Sequence, residues 1–251
     1  MGIFNGKIAV VTGGARDIGK AISIKLAKEG AKVVINYNSS EAGAKETVNE
    51  IKSLGGEAIA IKADVSTIAG IQYLKAKTVE SFGEKIDILV NNAGGLFARK
   101  TLQEIDEDFY DLVMNVNFKA TLFAIQAFEP LMSKGGSIVN LSSQAARDGG
   151  GAGASLYASS KGAVTTFTRA MAKELGPKGI RINAVNPGMI ATTFHDTFTA
   201  DAIREKVAGM TPLRREGTAE EVADVVSYLA SSASSFISGG NYDINGGLAF
   251  S

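Results

Sequence analysis

A phenol and a primary amine stand four residues apart in Ser155-Leu156-Tyr157-Ala158-Ser159-Ser160-Lys161, where Val164, Phe167, Met171 and Leu175 continue at roughly helical steps. On a helix this spacing puts Tyr157 and Lys161 on one face, and the apolar stripe buries one side and fixes the first turn. A tyrosine ordinarily titrates near ~10 and is a poor acid or base at neutral pH, but a neighbouring positive charge favours its phenolate. Lys161 would supply that charge and bring Tyr157 into range for proton transfer. Taken alone, the pair is also what an ordinary exposed Tyr and Lys would look like, so the elements around it carry the decision.

Residues 7–12 are an apolar run rich in β-branched side chains that ends at Gly13-Gly14, and a helical pattern begins at Ile18. Strand, glycine turn and helix in that order present backbone amides and a helix dipole to an anion such as a pyrophosphate. The alternation repeats, with strands over 31–36, 57–63 and 86–91 and helices over about 40–54 and 67–82. Near-continuous apolar strands separated by helices predict an α/β fold, a doubly wound parallel sheet of Rossmann type covered on both faces. Ligands of such sheets collect beyond the carboxyl ends of the strands. Gly13, Asp64-Val65, Asn91-Asn92-Ala93-Gly94, Ser142-Ser143 and Pro187-Gly188 all fall there, the last two after strands over 137–141 and 180–185. Residues 106–131 and 154–176 read as long helices, and 218 to 247 as a helix, a glycine turn and a last strand, about seven strands in all.

Composition narrows the partners. The 251 residues suit one large domain, with halves over about 1–142 and 143–251 that meet after the strand over 137–141. Twenty-six basic residues balance twenty-six acidic ones, which argues against nucleic acid or an anionic membrane as partner. The lack of cysteine excludes thiol catalysis and disulfides, and a single histidine excludes a histidine-built metal cluster, so no metal is expected. No apolar run reaches the ~18 residues of a membrane span and residues 1–7 carry no cleavage signal, so a cytoplasmic protein acting on small molecules is expected.

The Thr12-Gly13-x-x-x-x-Ile18-Gly19 turn, Asn91-Asn92-Ala93-Gly94, a serine ahead of Tyr157-x-x-x-Lys161, and Pro187-Gly188-Met189-Ile190-Ala191-Thr192 together resemble the short-chain dehydrogenase/reductase family. The likeness runs from about residue 5 to 248 and is strongest to the compact 3-oxoacyl-acyl-carrier-protein reductase type. It implies that Tyr157 exchanges a proton with a carbonyl or alcohol oxygen while hydride moves to or from a nicotinamide. Lys161 would lower the tyrosine pKa and bond the nicotinamide ribose, beside Tyr157. Ser143, fourteen residues before Tyr157, would hydrogen-bond the carbonyl oxygen, with Ser142 the alternative. Asn117 matches the helix asparagine that holds a water leading from Lys161 to solvent, whereas Asn115 reads as a polar residue on a helix face.

For the cofactor, the resemblance implies close backbone approach at Gly13 and Gly19, phosphate contact from the amide of Ile18, and an adenine border at Asp64 and Val65. Asn91, Ala93 and Gly94 would line the adenosine and ribose side. Pro187 and Gly188 would lead into the amide of Ile190 and Thr192, which bind the carboxamide. Asp17 stands where the family usually has glycine. It can cap the first helix and tolerates unusual backbone angles, but its charge is unwelcome beside a pyrophosphate.

The end of the second strand, Asn36-Tyr37-Asn38-Ser39-Ser40, has no carboxylate before Glu41, and Arg16 lies where similar reductases place a cation against a 2′-phosphate. NADP is therefore favoured, with NAD the alternative and Asp17 and Glu41 the opposing charges. The substrate is expected to be a prochiral ketone, a 3-oxoacyl thioester or compact mimic that an acyl carrier could deliver; a sugar, a steroid or another secondary alcohol is the alternative. Arg147-Asp148-Gly149-Gly150-Gly151-Ala152-Gly153 reads as a roomy, mobile approach loop, and about 190–212 as a lid on which His195 is a solvated residue. Sugar-nucleotide epimerases share the tyrosine-lysine pair but are longer, and enoyl reductases of similar fold space the two more widely. A homotetramer is expected, because Phe109, Leu112, Val113, Val116, Phe123, Val164, Phe167 and Met171 put apolar residues on more than one helix face.

Overall fold

The computed structural model describes residues 2–250. Its strands are β1 (Ile8–Thr12), β2 (Lys32–Tyr37), β3 (Glu57–Lys62), β4 (Ile86–Asn91), β5 (Met132–Leu141), β6 (Arg181–Pro187) and β7 (Asn241–Ile244). The helices are α1 (Asp17–Lys28), α2 (Glu41–Ser53), α3 (Ile68–Phe82), α4 (Glu107–Met114), α5 (Ala120–Phe128), α6 (Ala145–Asp148), α7 (Ser155–Leu175), α8 (Thr193–Phe198), α9 (Asp201–Met210) and α10 (Ala219–Ala230).

All seven strands run parallel in the order β3-β2-β1-β4-β5-β6-β7, as the alternating strands and helices predicted. The side-chain period of two explains why both faces are apolar. Ala9, Val11, Val33, Ile35, Ile88 and Val90 face one core with Ile22 and Leu26 of α1 and Val222 and Val226 of α10. Ile8, Val10, Val34 and Leu89 face the other, with Ile71 and Leu74 of α3 and Phe128 of α5. Each fully buried Val, Ile or Leu side chain contributes about 1.5–3 kcal/mol, which rigidifies the strand ends that carry the polar residues. Strand order reverses between β1 and β4, the position at which an open α/β sheet leaves a crevice.

The stretch 106–131 is not one helix. It is interrupted between α4 and α5 by a π-helical turn over Asn115–Lys119. Asn117, fully buried in that turn, receives a hydrogen bond from Gly95 N at 2.8 Å and donates to Gly95 O at 2.9 Å and Ser160 Oγ at 3.0 Å. Three bonds to one amide side chain offset the wider turn, a distortion that often marks functional positions. The strands β5 and β6 are also longer than predicted, and Pro187 closes β6 instead of opening a loop.

The surplus apolar face is smaller than the sequence suggested. Phe109, Val113 and Val164 are buried within the chain, and Phe123, Phe167 and Met171 pack partly against its core. Phe118 and Phe167 meet edge to face at 5.7 Å. Leu112 remains exposed, as does its neighbour Tyr110. Among the described residues no helix is long and apolar enough to cross a membrane, and no group of three or more His, Cys, Asp or Glu side chains is disposed to hold a metal ion.

Candidate active site

Tyr157 and Lys161 lie in the first two turns of α7 on the same face, with the ammonium 5.9 Å from the phenol ring centroid. Lys161 is 4% exposed and donates to the Leu141 carbonyl, at the carboxyl end of β5, at 2.8 Å. Burial lowers its pKa from 10.5 to about 8, because a low-dielectric surrounding disfavours the ammonium. Burial likewise raises the pKa of Tyr157, against a smaller lowering by a hydrogen bond with the Ser143 hydroxyl. Burial thus sets the direction of the phenol's shift, opposite to the lowering by Lys161 that the sequence led one to expect. Tyr157 therefore holds its proton at neutral pH, the form a proton donor needs.

The two serines after β5 part company. Ser142 is buried, its hydroxyl donating to Lys161 O at 2.9 Å and lying 2.9 Å from Thr165 Oγ1, so it fastens β5 to α7. Ser143 is partly buried, accepts from Ala145 N at 3.1 Å and meets the phenol of Tyr157. Asn117 and Lys161 converge on Gly94: a methyl group built there would lie 2.7 Å from Asn117 Oδ1 and 2.9 Å from Lys161 Nζ. Ser160 extends the cluster by donating to Tyr157 O at 2.6 Å, which couples Asn117 to the turn that carries the tyrosine.

At the glycine turn, Gly13 has a φ of 62°, and a methyl group on Gly19 would lie 2.1 Å from Gly13 O. Both positions therefore require glycine to let the chain turn and α1 start. The turn is held by residues that sequence reasoning did not single out. Thr12 Oγ1 accepts from Asn92 N at 3.0 Å and Ala93 N at 3.1 Å, while Asn92 Nδ2 donates to Thr12 O at 3.1 Å and Gly13 O at 2.9 Å. Both stood inside the motifs already noted, Thr12 at the head of the glycine turn and Asn92 beside Asn91, the residue that the resemblance assigned to the cofactor.

Two predicted cofactor residues are corrected by their burial. Asn36 accepts from Gly13 N at 3.3 Å and its amide donates to Ala63 O at 3.0 Å, so it ties the turn to the end of β3 and presents no donor to a ribose. Asn91 donates to Asn140 Oδ1 at 2.8 Å, and Asn140 to Thr168 Oγ1 at 2.9 Å, a buried polar chain from β4 through β5 to α7. Tyr37 is partly buried, and Asn38 and Ser39 are exposed at the end of β2. Glu41, the nearest carboxylate, is paired with Lys45 at 2.6 Å, which lowers its pKa and offsets its charge. Asp64 is exposed and accepts from Ser66 N and Oγ, while Val65 is buried.

Asp17 does not cap α1. The N-cap is Arg16, no side chain caps that helix, and Asp17 adopts a φ of 51°. The left-handed conformation suits a glycine and costs other residues about 1–2 kcal/mol, less for aspartate. Its carboxylate instead accepts from Thr193 N at 3.0 Å and Thr193 Oγ1 at 2.6 Å. Arg16 is exposed, 3.8 Å from the same carboxylate.

After β6, Gly188 N donates to Ile244 O at 3.0 Å, Ile190 is buried, and Thr192 bonds Ile190 O at 3.1 Å before serving as N-cap of α8. The ring of Phe194 lies 6.1 Å from that of Tyr157 and 5.3 Å from that of Phe198. His195 is partly buried, not solvated: its ring packs on Phe194 and its Nδ1 lies 3.0 Å from Thr199 Oγ1, with burial lowering its pKa. The approach loop is also more tied than expected. Arg147 Nε pairs with Asp243 at 2.8 Å, Arg99 Nη1 donates to Ala152 O at 2.9 Å, and Lys100 N donates to Gly153 O at 3.0 Å. A cavity of about 290 Å³ lies between Met189, Leu213, Asn245 and Gly246, and neither Tyr157, Lys161 nor Ser143 lines it.

An uncapped helix N-terminus stands at the sheet's crossover, where an open α/β sheet leaves a crevice, and a phenol, a hydroxyl and an amine gather after β5 and at the start of α7. A nicotinamide dinucleotide fits this donor set. The glycine turn offers backbone amides to its phosphates and the Gly94 surface offers a floor free of side chain. The chain belongs to the short-chain dehydrogenase/reductase family, and it is an oxidoreductase. A family model described as Enoyl-(Acyl carrier protein) reductase matches residues 13–249. An uncharacterized oxidoreductase of Methylorubrum extorquens is 40% identical over 252 residues, covering 99% of this chain and 100% of the relative. Versicolorin reductase of Emericella nidulans is 39% identical, covering 97% of this chain and 96% of its own length. Among solved structures, a short chain dehydrogenase from Burkholderia cenocepacia in complex with NADP superposes with a TM-score of 0.91 at 38% identity, over 98% of each chain.

Proposed function

We propose that this protein reduces a prochiral ketone to a secondary alcohol with NADPH, reversibly. The observation that carries the reading is the convergence of Ser143 on a protonated Tyr157, with the Lys161 ammonium close beneath it. The dinucleotide, when bound, supplies the hydride. Ser143 donates a hydrogen bond to the substrate carbonyl oxygen as negative charge grows there, and Tyr157 passes its proton to that oxygen. The Lys161 ammonium stabilises the phenolate left behind, and Asn117, against the same glycine, supports a path by which solvent restores the proton. Gly13, Ile18 and Gly19 hold the phosphates, Ala93 and Gly94 the ribose side, and Ile190 and Thr192 the carboxamide. Arg16, Asn38 and Ser39 favour a 2′-phosphate, which agrees with the NADP bound to the Burkholderia relative.

For the substrate, the small-residue approach over Gly149 to Gly153 suits a 3-oxoacyl thioester. A second reading, an aromatic ketone, is favoured by the rings of Phe194 and Phe198 beside Tyr157 and by the name of the versicolorin reductase. The four-residue separation of Tyr157 and Lys161 speaks for carbonyl rather than enoyl reduction. The test is steady-state kinetics on acetoacetyl thioesters, aryl ketones, sugars and steroids with both cofactors, in the wild type and in Tyr157→Phe. The variant is expected to lose at least ~10² in rate while still binding NADPH. Retention of more than about a tenth of the activity would defeat the assignment, and rapid oxidation of a sugar or steroid with no reduction of ketones would replace the substrate reading.

A further inference from the structure

We propose that Asp17 is a positioning residue: it latches α8 across the strand ends at the sheet's crossover and so governs how fast the dinucleotide leaves. Asp17 follows β1 and Thr193 follows β6, and the sheet order places β4 and β5 between those strands. At ~4.8 Å per strand, the pair of hydrogen bonds closes a span of about 14 Å over the strand ends where a ligand of this sheet collects. The partners are 176 residues apart in sequence, so no local preference accounts for the contact.

Three observations make the contact more than incidental. Thr193 is the first residue of α8, and the helix has no cap of its own because the Thr192 hydroxyl is turned back to Ile190 O. Asp17 fills that vacancy from the opposite wall, taking both the amide and the hydroxyl of Thr193. Its backbone stands at a φ of 51°, where glycine would be easier, so the side chain's bonds offset a conformation the turn could have had without strain. The other end of α8 is held separately: Arg99, on the segment between β4 and α4, donates from Nε to Phe198 O at 3.2 Å. The helix that carries Phe194 toward Tyr157 is thus pinned at both ends to different walls of the site.

The latch also changes the meaning of a negative charge at this position. A carboxylate facing a pyrophosphate would weaken binding, whereas one engaged with Thr193 acts as a clasp. Two substitutions separate these roles. Asp17→Gly removes the clasp and keeps the turn. Asp17→Asn removes the charge, keeps an acceptor for Thr193 N, offers its amide to Thr193 Oγ1, and tolerates the left-handed backbone.

The experiment measures two things in each variant: hydrogen exchange of amides 193–198 in protein without cofactor, and the rate at which bound NADPH is displaced in stopped-flow fluorescence. The second arm rests on the cofactor reading proposed above; the first does not. Asp17→Gly is expected to speed both about tenfold, equivalent to ~1.4 kcal/mol, with Asp17→Asn within about threefold of wild type. Unchanged exchange over 193–198 in Asp17→Gly would overturn the latch. Slower NADPH release in both variants would also overturn it, showing that the carboxylate acts as a repelling charge. A wild type that binds no NADPH would defeat the cofactor reading, and the exchange comparison would still decide the latch.

Discussion

Burial of Lys161 makes a prediction whose size follows from its pKa. In the folded protein the ammonium titrates at about 8 in place of 10.5. Between those values the unfolded chain retains a proton that the folded chain has released, so stability contributed by this group rises with pH through that window and is flat below it. At ~1.4 kcal/mol per pH unit, the whole interval sets a ceiling of about 3 kcal/mol. Lys161→Met removes the titration and also the donor to Leu141 O. The orphaned carbonyl costs about 1–3 kcal/mol, but that cost does not depend on pH and cancels when the two proteins are compared across conditions. The measurement is the thermal midpoint of wild type minus that of Lys161→Met from pH 7 to 10.5. For a chain of this size, each kcal/mol moves the midpoint by roughly 2–4 °C, so the difference should shift in favour of the wild type by up to about 10 °C, all of it above pH 7.5. Parallel curves would refute the argument, since they would mean that the amine titrates alike folded and unfolded.

The serines should separate cleanly: Ser143→Ala is expected to lose ~10²-fold or more in kcat with its melting curve intact, as for a lost oxyanion donor. Ser142→Ala should keep its rate and lose about 1 kcal/mol of stability; the reverse pattern in enzyme assay and calorimetry would exchange their roles. Arg16→Ala should reduce the ratio of kcat/KM for NADPH over NADH about tenfold, and an unchanged ratio would show that this exposed guanidinium does not meet the 2′-phosphate. Light scattering at micromolar concentration should find a tetramer, with Leu112 and Tyr110 at a contact between copies, whereas a 26.1 kDa particle would contradict that proposal.

Much of this molecule was legible because the relevant physics is local. The β-branched runs that end at Gly13, Asn91 and Leu141 alternate with helices, and a parallel sheet must gather such ends along one edge. The four-residue step from Tyr157 to Lys161 needs only a helix to become a shared face, and α7 supplies it. Gly13 and Gly19 were readable for a similar reason, since the lack of a side chain is itself the requirement. What depended on the direction of a side chain between elements distant in sequence was not readable. Ser142 and Ser143 are adjacent on the chain, and only the packing of β5 on α7 turns one hydroxyl into the core and leaves the other beside the phenol. Asn36 and Asn91 stand at strand ends in the sequence, yet the sheet's hydrogen bonds draw both amides inside. The sequence placed a positive charge near Tyr157, but whether charge or desolvation would govern the phenol depended on how deeply the surrounding elements enclosed it. Asp17 shows the same limit: its type permitted an ordinary helix cap, and the fold gave that carboxylate to Thr193, because tertiary structure alone brings the turn after β1 within hydrogen-bonding distance of the helix after β6.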